Sequence, residues 1–155
     1  MIDIGDKVPD LTLPDDAGQP VALSSLQGQV YVLYFYPKDD TPGCTKEACA
    51  FRDNIASLNR LEAKVFGVSR DDAASHVKFK QKFNLNFPLL SDVDGKLCEA
   101  FGVWKLRSMY GKEFMGIERS TFVVDGSGKI TAAWRKVNVD GHVDEVIREV
   151  EAVKG

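Results

Sequence analysis

Two cysteines lie close together at the predicted start of a helix, in the stretch PKDDTPGCTKEAC. Cys44 directly follows a Thr-Pro-Gly turn, and Cys49 lies five residues further along. Proline is favoured in the first turn of a helix, where its missing N–H is not needed, so the helix should begin near Thr41 or Pro42. Because cysteine reacts as the thiolate, this arrangement predicts thiol chemistry at a helix N-terminus.

A reactive thiol at this position needs more than the helix end. At an unperturbed pKa of about 8.5, only about 3% of a thiol is ionised at pH 7. A pKa of about 6 would ionise roughly 90% and requires about 3.4 kcal/mol of differential stabilisation. A helix N-terminus contributes about 0.3–1 kcal/mol and at most about 2 kcal/mol, with hydrogen bonds from its free N–H groups in addition. A nearby cation is therefore required.

Four basic residues are candidates for this cation. Lys38 and Lys46 are close in sequence, but their ammonium groups are flexible and strongly hydrated. Arg52 lies roughly 12 Å further along the helix by helical rise. Arg119 directly precedes the apolar stretch STFVVD, which should form a strand beside the first central strand. Because its rigid guanidinium can hold an anion from two sides, we expect Arg119 to be the cation.

The two cysteines also have structural interpretations. Cys44 is in register with Ala48 and Phe51, so it could be an ordinary core residue. Cys49 lies off this stripe and could be an incidental surface thiol. Five helical residues turn the chain by about 140° and rise about 7.5 Å, too far for a relaxed disulfide. If the pair does bond, the first turns must unwind, which a start containing Pro and Gly permits.

The other candidate ligand and redox residues are interpreted as structural. Cys98, in KLCEAF, is expected to pack in the core, and it would be a backup partner for Cys44 only if Cys49 is not used. His76 and His142 are expected at the surface or at helix ends. With two histidines and no Cys-x-x-Cys, the sequence does not favour a zinc site.

Length and composition indicate one domain over residues 1–155. The net charge is −3 with no basic block, so nucleic acid is not an expected partner. The N-terminus MIDIGDKVPDL lacks a basic segment followed by an apolar one, so we expect no signal peptide, no membrane span and a cytoplasmic location. Three unevenly spaced cysteines agree with a reducing compartment.

The order of predicted elements indicates an α/β fold. LTLPDDAGQPVAL reads as a hairpin, VYVLYFY as a central strand, and AKVFGVS as a second strand beyond the cysteine helix. A second helix, DAASHVKFKQKF, should turn Val77, Phe79 and Phe83 inward. A short extended piece (FPLLSD), a short helix (GKLCEAFGVW), the hairpin STFVVDGSGKITAAWR and the amphipathic helix DGHVDEVIREVEAVKG complete the chain. This order predicts a thioredoxin-like sandwich with a mixed central sheet flanked by helices and an extra N-terminal β-hairpin.

The segment PKDDTPGC resembles the Pro-x-x-x-Thr-x-x-Cys pattern of peroxiredoxins, and TPGCTKEACAFRD is similar to their Q-type, or bacterioferritin-comigratory-protein, subfamily. The likeness continues through VSRDDAASHVKF, FPLLSDVDGK, FGVW and MYGKEFMGIERSTFVVD, and so covers nearly the whole chain. The segment KLRS, residues 105–108, does not match, and it adjoins the expected rim of the active site.

The resemblance implies a thiol peroxidase that reduces hydrogen peroxide and organic hydroperoxides. Cys44 would attack the peroxide, Thr41 would orient sulfur and substrate, and Arg119 would hold the thiolate. Cys49 would then form a disulfide with the Cys44 sulfenic acid. The residues expected to form the substrate pocket are Pro37, Pro42, Gly43 and Glu47. From the residues alone, Glu47 could also bind the first-turn backbone or Arg119, or be a solvated helix acid.

The resemblance also implies partners. A thioredoxin-type dithiol, or alternatively glutaredoxin, would reduce the disulfide, no metal or cofactor is expected, and the subfamily favours a monomer. Two other functions remain open. A general protein disulfide oxidoreductase would use Cys-x-x-Cys, whereas the third residue after Cys44 is Glu47. A redox-sensing or holdase module would use the same thiols without peroxide turnover.

Overall fold

A computed structural model of the protein describes residues 1–154. Gly155, the last residue of the predicted terminal helix segment, lies outside the described residues. The described part forms nine strands and four helices, together with a short 3₁₀ helix at Leu23–Leu26. The strands are β1 (Thr12–Pro14), β2 (Pro20–Ala22), β3 (Val30–Phe35), β4 (Ala63–Ser69), β5 (Leu89–Ser91), β6 (Trp104–Met109), β7 (Lys112–Ile117), β8 (Ser120–Val124) and β9 (Ile130–Arg135). The helices are α1 (Pro42–Arg60), α2 (Ala73–Phe83), α3 (Lys96–Ala100) and α4 (His142–Lys154).

The central sheet has five strands in the order β5-β4-β3-β8-β9. Strands β3, β4 and β5 run parallel, whereas β8 runs antiparallel to both β3 and β9. The sheet is therefore mixed, as predicted. All six residues of β3 are buried, which agrees with a continuous apolar run in a strand covered on both faces.

Alternate residues of β3 enter two separate cores, because successive side chains of a strand point to opposite faces. Val32 and Tyr34 pack in one core with buried residues of α1, α2 and α4. Leu33 and Phe35 pack in the other core with residues of α3 and with Ile117 at the end of β7. The cysteine helix and the α3 helix therefore lie on opposite faces of the sheet.

The predicted N-terminal hairpin is present as β1 and β2, and its turn covers the edge of the sheet at β5. Asp15 forms an isolated bridge with Leu90, and a carboxylate oxygen of Asp16 accepts a hydrogen bond from the Leu89 amide across 3.1 Å. Lys80 of α2 binds the other oxygen of Asp16 at 3.0 Å. The turn thus satisfies edge groups that would otherwise be open to another chain.

The prediction for the inward face of α2 was partly wrong. Phe79 is buried and Phe83 half-buried, but Val77 is exposed, and His76 is fully buried in its place. Residues 76, 79 and 83 follow helical spacing, whereas residue 77 lies about 100° further round the helix. Helical spacing therefore predicts the buried position better than side-chain polarity does, since His76 is buried and the more apolar Val77 is exposed.

The hairpin of β6 and β7 was not predicted from the sequence. Its two-residue turn consists of Tyr110 and Gly111, both at positive φ, 53° and 77°. Such turns normally carry Asn-Gly or Asp-Gly, and a tyrosine at positive φ is uncommon, so the usual signal was absent. Within residues 1–154, no helix has both the length and the apolarity needed to cross a membrane.

Candidate active site

Cys44 lies in the first turn of α1, which follows β3 after the loop of residues 36–41. Thr41 is the N-cap residue, with extended backbone angles of −102° and 155°, and Pro42 is the first helical residue. The Thr41 carbonyl accepts the hydrogen bond of the Thr45 amide at 2.8 Å, which closes the first turn. Cys44 is 1% exposed and faces inward with Ala48. The thiol therefore has both a helix N-terminus and an apolar environment.

Arg119 reaches Cys44 because β8 lies beside β3 in antiparallel register. Ser120, the first residue of β8, pairs with Phe35, the last residue of β3, so Arg119 arrives where α1 begins. Its Nη2 donates a hydrogen bond to Sγ of Cys44 at 3.3 Å. Its backbone carbonyl accepts a hydrogen bond from the amide of Val137 at 3.0 Å. Register and backbone contacts thus bring a cation to the sulfur from a distant part of the chain.

The same guanidinium binds a second acidic group. Nη1 of Arg119 donates to Oε1 of Glu47 at 2.8 Å, and the Glu47 side chain is 1% exposed. Burial raises the pKa of Glu47 to about 7, although the charge and hydrogen bond of Arg119 act in the opposite direction. Burial lowers the pKa of Arg119, but the charges of Glu47 and Cys44 more than offset this, so the guanidinium stays charged.

The other candidate cations are engaged elsewhere or face the solvent side of the site. Lys46 pairs with Asp140, and Arg52 binds Asp53 and donates to the Phe83 carbonyl at 2.6 Å. Lys38 lines the cavity described below without a hydrogen bond to the sulfur among the described residues. Arg119 is therefore the cation in direct contact with the thiol.

A cavity of about 570 Å³ opens onto the cysteine. One wall is the loop and first turn before the sulfur, with Pro37, Lys38, Thr41, Pro42, Gly43 and Cys44. The opposite wall is largely apolar and comes mostly from the β6–β7 hairpin, with Trp104, Met109, Phe114, Met115, Gly116 and Ile117. Arg70, Asp71, Arg107 and Arg119 complete the lining. The cavity has a polar floor near the sulfur and an apolar rim.

Gly43 permits the close approach of Arg119. A Cβ at this position would lie 3.0 Å from Nη2 of Arg119, the same nitrogen that donates to Cys44. Such a contact would require the guanidinium to shift. The glycine that precedes the thiol therefore has a steric role in the contact between Arg119 and Cys44.

The placement of Glu47 corrects one expectation. Glu47 was predicted as a substrate-pocket residue, but it does not line the cavity and lies behind Arg119. It is also not a solvated helix acid, since it is fully buried. Thr41 does line the cavity, and its hydroxyl donates to the Lys38 carbonyl at 2.9 Å rather than to the sulfur. Its oxygen is left as an acceptor that faces the cavity.

The other two cysteines occupy different environments. Cys49 is half-buried on α1, and all three cysteines are free. Cys98 is fully buried in the core on the opposite face of the sheet from Cys44, and burial raises the pKa of its thiol. The expected packing role of Cys98 agrees with this placement. The sheet separates it from Cys44, so it is not available as a backup partner.

His76 belongs to a buried polar cluster under the loop that carries Thr41, and its predicted surface position is wrong. Nδ1 of His76 lies 2.7 Å from a carboxylate oxygen of Asp39, and Nε2 lies 3.0 Å from the carbonyl oxygen of Leu90. Both partners are acceptors, so both ring nitrogens donate and the ring is an imidazolium. Burial lowers the pKa of His76, but the hydrogen bond and charge of Asp39 outweigh it and leave the pKa above its ordinary value.

The same cluster contains the donor set that comes nearest to a metal site among the described residues. Asp39, Asp71 and His76 place ligand atoms within 4.8 Å of one another. However, Tyr36 donates to Asp39 at 2.6 Å, Ser69 donates to Asp71 at 2.7 Å, and the imidazolium has no free lone pair. The cluster is better explained as a fully hydrogen-bonded support for the loop.

His142 begins α4, as a helix-end residue, but it is buried rather than at the surface. Its Nε2 lies 2.8 Å from the hydroxyl of Thr121, and its ring packs edge-on against Trp134. Burial lowers the pKa of His142, so the ring is neutral. Apolar neighbours on α4 and β9 explain this burial, which spacing within the helix alone did not indicate.

Most residues of the cavity rim were not predicted from the sequence. Arg70 stacks on the Trp104 ring at 4.3 Å, and Met109, Phe114 and Met115 face the cavity from the hairpin. The available signal was the unmatched segment at residues 105–108, which was expected near the rim and lies in β6. Because the β6–β7 hairpin was not predicted, Met109, Phe114 and Met115 could not be placed together on one wall of the cavity.

The chain matches known proteins along most of its length. A family model described as the AhpC/TSA family matches residues 4–133. Peroxiredoxin Bcp of Bacillus subtilis (strain 168) is 54% identical over 150 residues, which is 97% of this chain and 96% of that protein.

Solved structures give the same result. Xanthomonas campestris peroxiredoxin Q superposes with a TM-score of 0.92 at 42% identity, over 100% of this chain and 98% of that chain. The Xanthomonas campestris bacterioferritin comigratory protein superposes with a TM-score of 0.91 at 42% identity, over 100% and 99% of the two chains. That structure is a trapped intermediate/ligand complex from work on the protein's alkyl peroxide reduction activity.

Substitution of Arg119 tests the source of thiolate stabilisation. Arg119→Ala should lower the fraction of Cys44 present as thiolate at pH 7 by roughly tenfold, because the first-turn amides alone stabilise it too weakly. The thiolate absorbance in the ultraviolet, followed against pH in a Cys49→Ser/Cys98→Ala background, measures this fraction. Arg52→Ala is the control and should leave the titration unchanged. An identical titration in the Arg119 variant would remove Arg119 from this role.

The His76–Asp39 pair predicts a pH-dependent stability. Because the native pKa of His76 lies above its unfolded value, the pair contributes fully below about pH 6.5, and its contribution is lost as pH rises through the native pKa. Asp39→Asn should flatten this slope and cost about 3 kcal/mol at pH 6. Urea unfolding between about pH 5 and 9 measures both effects, with the exposed Asp94→Asn as control. Parallel pH profiles for wild type and Asp39→Asn would contradict the assignment.

Proposed function

From the premise that this chain belongs to the AhpC/TSA family, as a peroxiredoxin of the Bcp or Q type, we propose that Cys44 is its peroxidatic residue. The protein is a thiol-dependent peroxidase. The observation that carries the residue assignment is the 3.3 Å contact between Nη2 of Arg119 and Sγ of Cys44 at the floor of an open cavity. Of the three cysteines, Cys44 is the one that lines this cavity.

In the proposed reaction, the Cys44 thiolate attacks the terminal oxygen of a hydroperoxide. A sulfur–oxygen bond forms as the O–O bond breaks, sulfur is oxidised by two electrons, and an alkoxide or hydroxide leaves. Negative charge spreads over two oxygens in the transition state. Fixed donors that face these oxygens stabilise this state more than the ground state, which accelerates the reaction.

Arg119 and Thr41 are the proposed donor and acceptor for the peroxide. Arg119 lines the cavity and is held by Glu47, so its N–H groups are fixed before the substrate arrives. The Thr41 hydroxyl already donates to Lys38, so its oxygen can accept the peroxide hydrogen. Pro37, Pro42 and Gly43 complete the wall, where the prolines exclude water and the glycine leaves room for the guanidinium.

Cys49 is the proposed resolving residue. It condenses with the Cys44 sulfenic acid to a disulfide and releases water. In α1, however, the two residues are separated by about 7.5 Å of helical rise, and a relaxed disulfide cannot span them. The first turns of α1 must therefore unwind between the peroxide step and the disulfide step. Pro42 and Gly43 at the helix start make such local opening less costly.

A thioredoxin-type dithiol is the proposed reductant, with glutaredoxin as the alternative. It would attack the Cys44–Cys49 disulfide and restore both thiols by exchange. When the first turns unwind, the half-buried Cys49 becomes accessible. A dithiol on another protein can then reach the disulfide, which supports this proposal. We propose that the chain acts as a single domain over residues 1–155, as a monomer, and in the cytoplasm.

The proposed substrates are hydrogen peroxide and organic hydroperoxides. The cavity is large enough for an alkyl group beyond the peroxide oxygens, and its outer wall is apolar. Met109, Phe114 and Met115 are all partly exposed there, which is unusual for large apolar side chains without a ligand or partner. An alkyl group would cover this surface.

A coupled assay with thioredoxin, thioredoxin reductase and NADPH tests the proposed function. Cys44→Ser should abolish peroxide turnover, because no other described cysteine reaches the cavity. Cys49→Ser should keep one stoichiometric oxidation of Cys44, seen by mass spectrometry, but should stall recycling by thioredoxin. Cys98→Ala is the matched control and should retain turnover. Full turnover in Cys44→Ser would exclude Cys44 as the peroxidatic residue.

The proposed unwinding has its own test. In the reduced protein, backbone chemical shifts from Cys44 to Cys49 should be helical, and in the oxidised protein they should lose helical character. Residues at the other end of α1, near Leu58, should keep helical shifts in both states and serve as an internal reference. Identical helical chemical shifts at residues 44–49 in both states, with the disulfide verified by mass spectrometry, would rule out the unwinding step.

A further inference from the structure

Arg119 is one cation in contact with two acidic groups. Nη2 contacts Sγ of Cys44 at 3.3 Å, and Nη1 contacts Oε1 of Glu47 at 2.8 Å. Both acidic residues lie on the same buried face of α1. If both were ionised, the guanidinium would face two negative charges in a site with little access to water, which is electrostatically unfavourable.

The other titratable groups around this site do not bring a second positive charge into contact with the pair. Tyr34, which packs from β3, is fully buried, and burial and the charges of Glu47 and Cys44 raise the pKa of its hydroxyl, so it is neutral. His142, which begins α4 and feels the charge of Arg119, is neutral because burial lowers its pKa. Lys38, Arg70 and Arg107 line the cavity, but among the described residues none of them donates a hydrogen bond to Cys44 or Glu47. Arg119 is therefore the one cation in direct contact with the pair, and one negative charge balances it.

One oxygen of Glu47 has no hydrogen-bond partner. Oε2 is buried and unpaired among the described residues, and so is the Tyr34 hydroxyl. A buried carboxylate oxygen without a donor carries a large desolvation cost, and protonation of the carboxyl group relieves it. The raised pKa of Glu47, about 7, agrees with this geometry.

We propose that Glu47 is a positioning residue that takes over the negative charge of Cys44 during the peroxide reaction, as its proton goes to neutralise the leaving oxygen. This inference rests on the proposed function. While Cys44 is a thiolate, Glu47 is a neutral carboxylic acid, and Arg119 is paired with the sulfur. When the sulfur becomes a sulfenic acid, Glu47 becomes a carboxylate, and Arg119 is paired with Glu47.

The step balances in atoms and charge. The thiolate, the hydroperoxide and the carboxylic acid give a sulfenic acid, an alcohol and a carboxylate. Sulfur loses two electrons to the O–O bond, the leaving alkoxide takes up one proton, and Glu47 loses one. Glu47 does not line the cavity, so the leaving alkoxide, a stronger base than a guanidine, takes an N–H proton of Arg119, and Glu47 returns a proton to that guanidine through Nη1. On reduction of the disulfide, Cys44 returns as thiolate and Glu47 regains the proton.

This exchange keeps the total charge of the buried site constant. Arg119 has one anionic partner before and after the reaction, so it need not leave its position when the sulfur loses its charge. A carboxylate that stayed ionised throughout would instead compete with the thiolate for the same guanidinium. The proton also neutralises the leaving oxygen, which would otherwise develop a full negative charge.

Infrared difference spectroscopy on a Cys49→Ser background tests the proposal, because the sulfenic acid cannot condense there. The reduced protein should show the C=O band of a buried protonated carboxyl group at neutral pH. One equivalent of hydrogen peroxide should remove this band and give a carboxylate band. Glu47→Gln should lack the band, and Glu118→Gln should keep it, because Glu118 pairs with Lys105 rather than with Arg119.

Proton uptake gives a second measurement. With a pH indicator in weak buffer, at the neutral pH of the infrared experiment, oxidation of Cys44 should take up close to no protons from solvent. In Glu47→Gln, which keeps a carbonyl oxygen for Arg119, it should take up one proton for each thiolate oxidised. Thiolate absorbance on the same samples gives the number of thiolates present before peroxide is added.

The outcomes separate this proposal from the proposed function. If mass spectrometry finds no oxidation of Cys44 by peroxide, the proposed function is wrong, and this inference falls with it. If Cys44 is oxidised but the infrared band is absent, or survives in Glu47→Gln, the charge exchange is overturned while the peroxidase assignment stands. One proton taken up in both wild type and Glu47→Gln would overturn it in the same way.

Discussion

The Arg119 guanidinium, 3.3 Å from the Cys44 sulfur and 2.8 Å from a Glu47 oxygen, determines how the rest of the site can be built. For a thiol to be mostly ionised at neutral pH, its thiolate form needs about 3 kcal/mol of stabilisation beyond that of an ordinary cysteine. A helix N-terminus contributes at most about 2 kcal/mol. The remaining stabilisation must come from a cation that is close, rigid and shielded from water. Arginine meets this need better than lysine, because its planar group holds two acidic partners through different nitrogens.

The fold supplies this contact through ordinary strand pairing. Strand β8 lies antiparallel to β3 with Ser120 opposite Phe35, so the residue before β8 is carried to the place where α1 begins. Gly43 leaves space for the guanidinium, and the imidazolium of His76 with Asp39 holds the loop before the helix from below. None of these features donates a hydrogen bond to the sulfur, yet each constrains where Arg119 and Thr41 can lie.

In the proposed reaction, the same helix start is rigid for the peroxide step and open for the disulfide step. With α1 intact, Cys44 is buried against the guanidinium and Cys49 is out of reach for a disulfide. Proline and glycine at the start of α1 favour local unwinding of its first turns. The rest of the helix stays folded, because its apolar face from Ala48 to Leu58 packs on the sheet. In the proposed function, the apolar hairpin wall opposite the sulfur binds the substrate while α1 is intact, so oxidation at the floor and recognition at the rim are separated in space.

Local patterns in the sequence were sufficient for the helix start, the central strand, the terminal helix and the thioredoxin-like order of elements, because each depends on residues near in the chain. The need for a cation also followed from the chemistry of one thiol. The β6–β7 hairpin was missed because Tyr110 occupies a turn position that glycine or asparagine usually takes. The burial of His76 and the position of Glu47 behind Arg119 depend on side chains from other elements that pack around them. The sequence by itself thus determined which groups could react, whereas the tertiary structure decided which charges share one guanidinium, since distance and burial arise only when distant segments pack together.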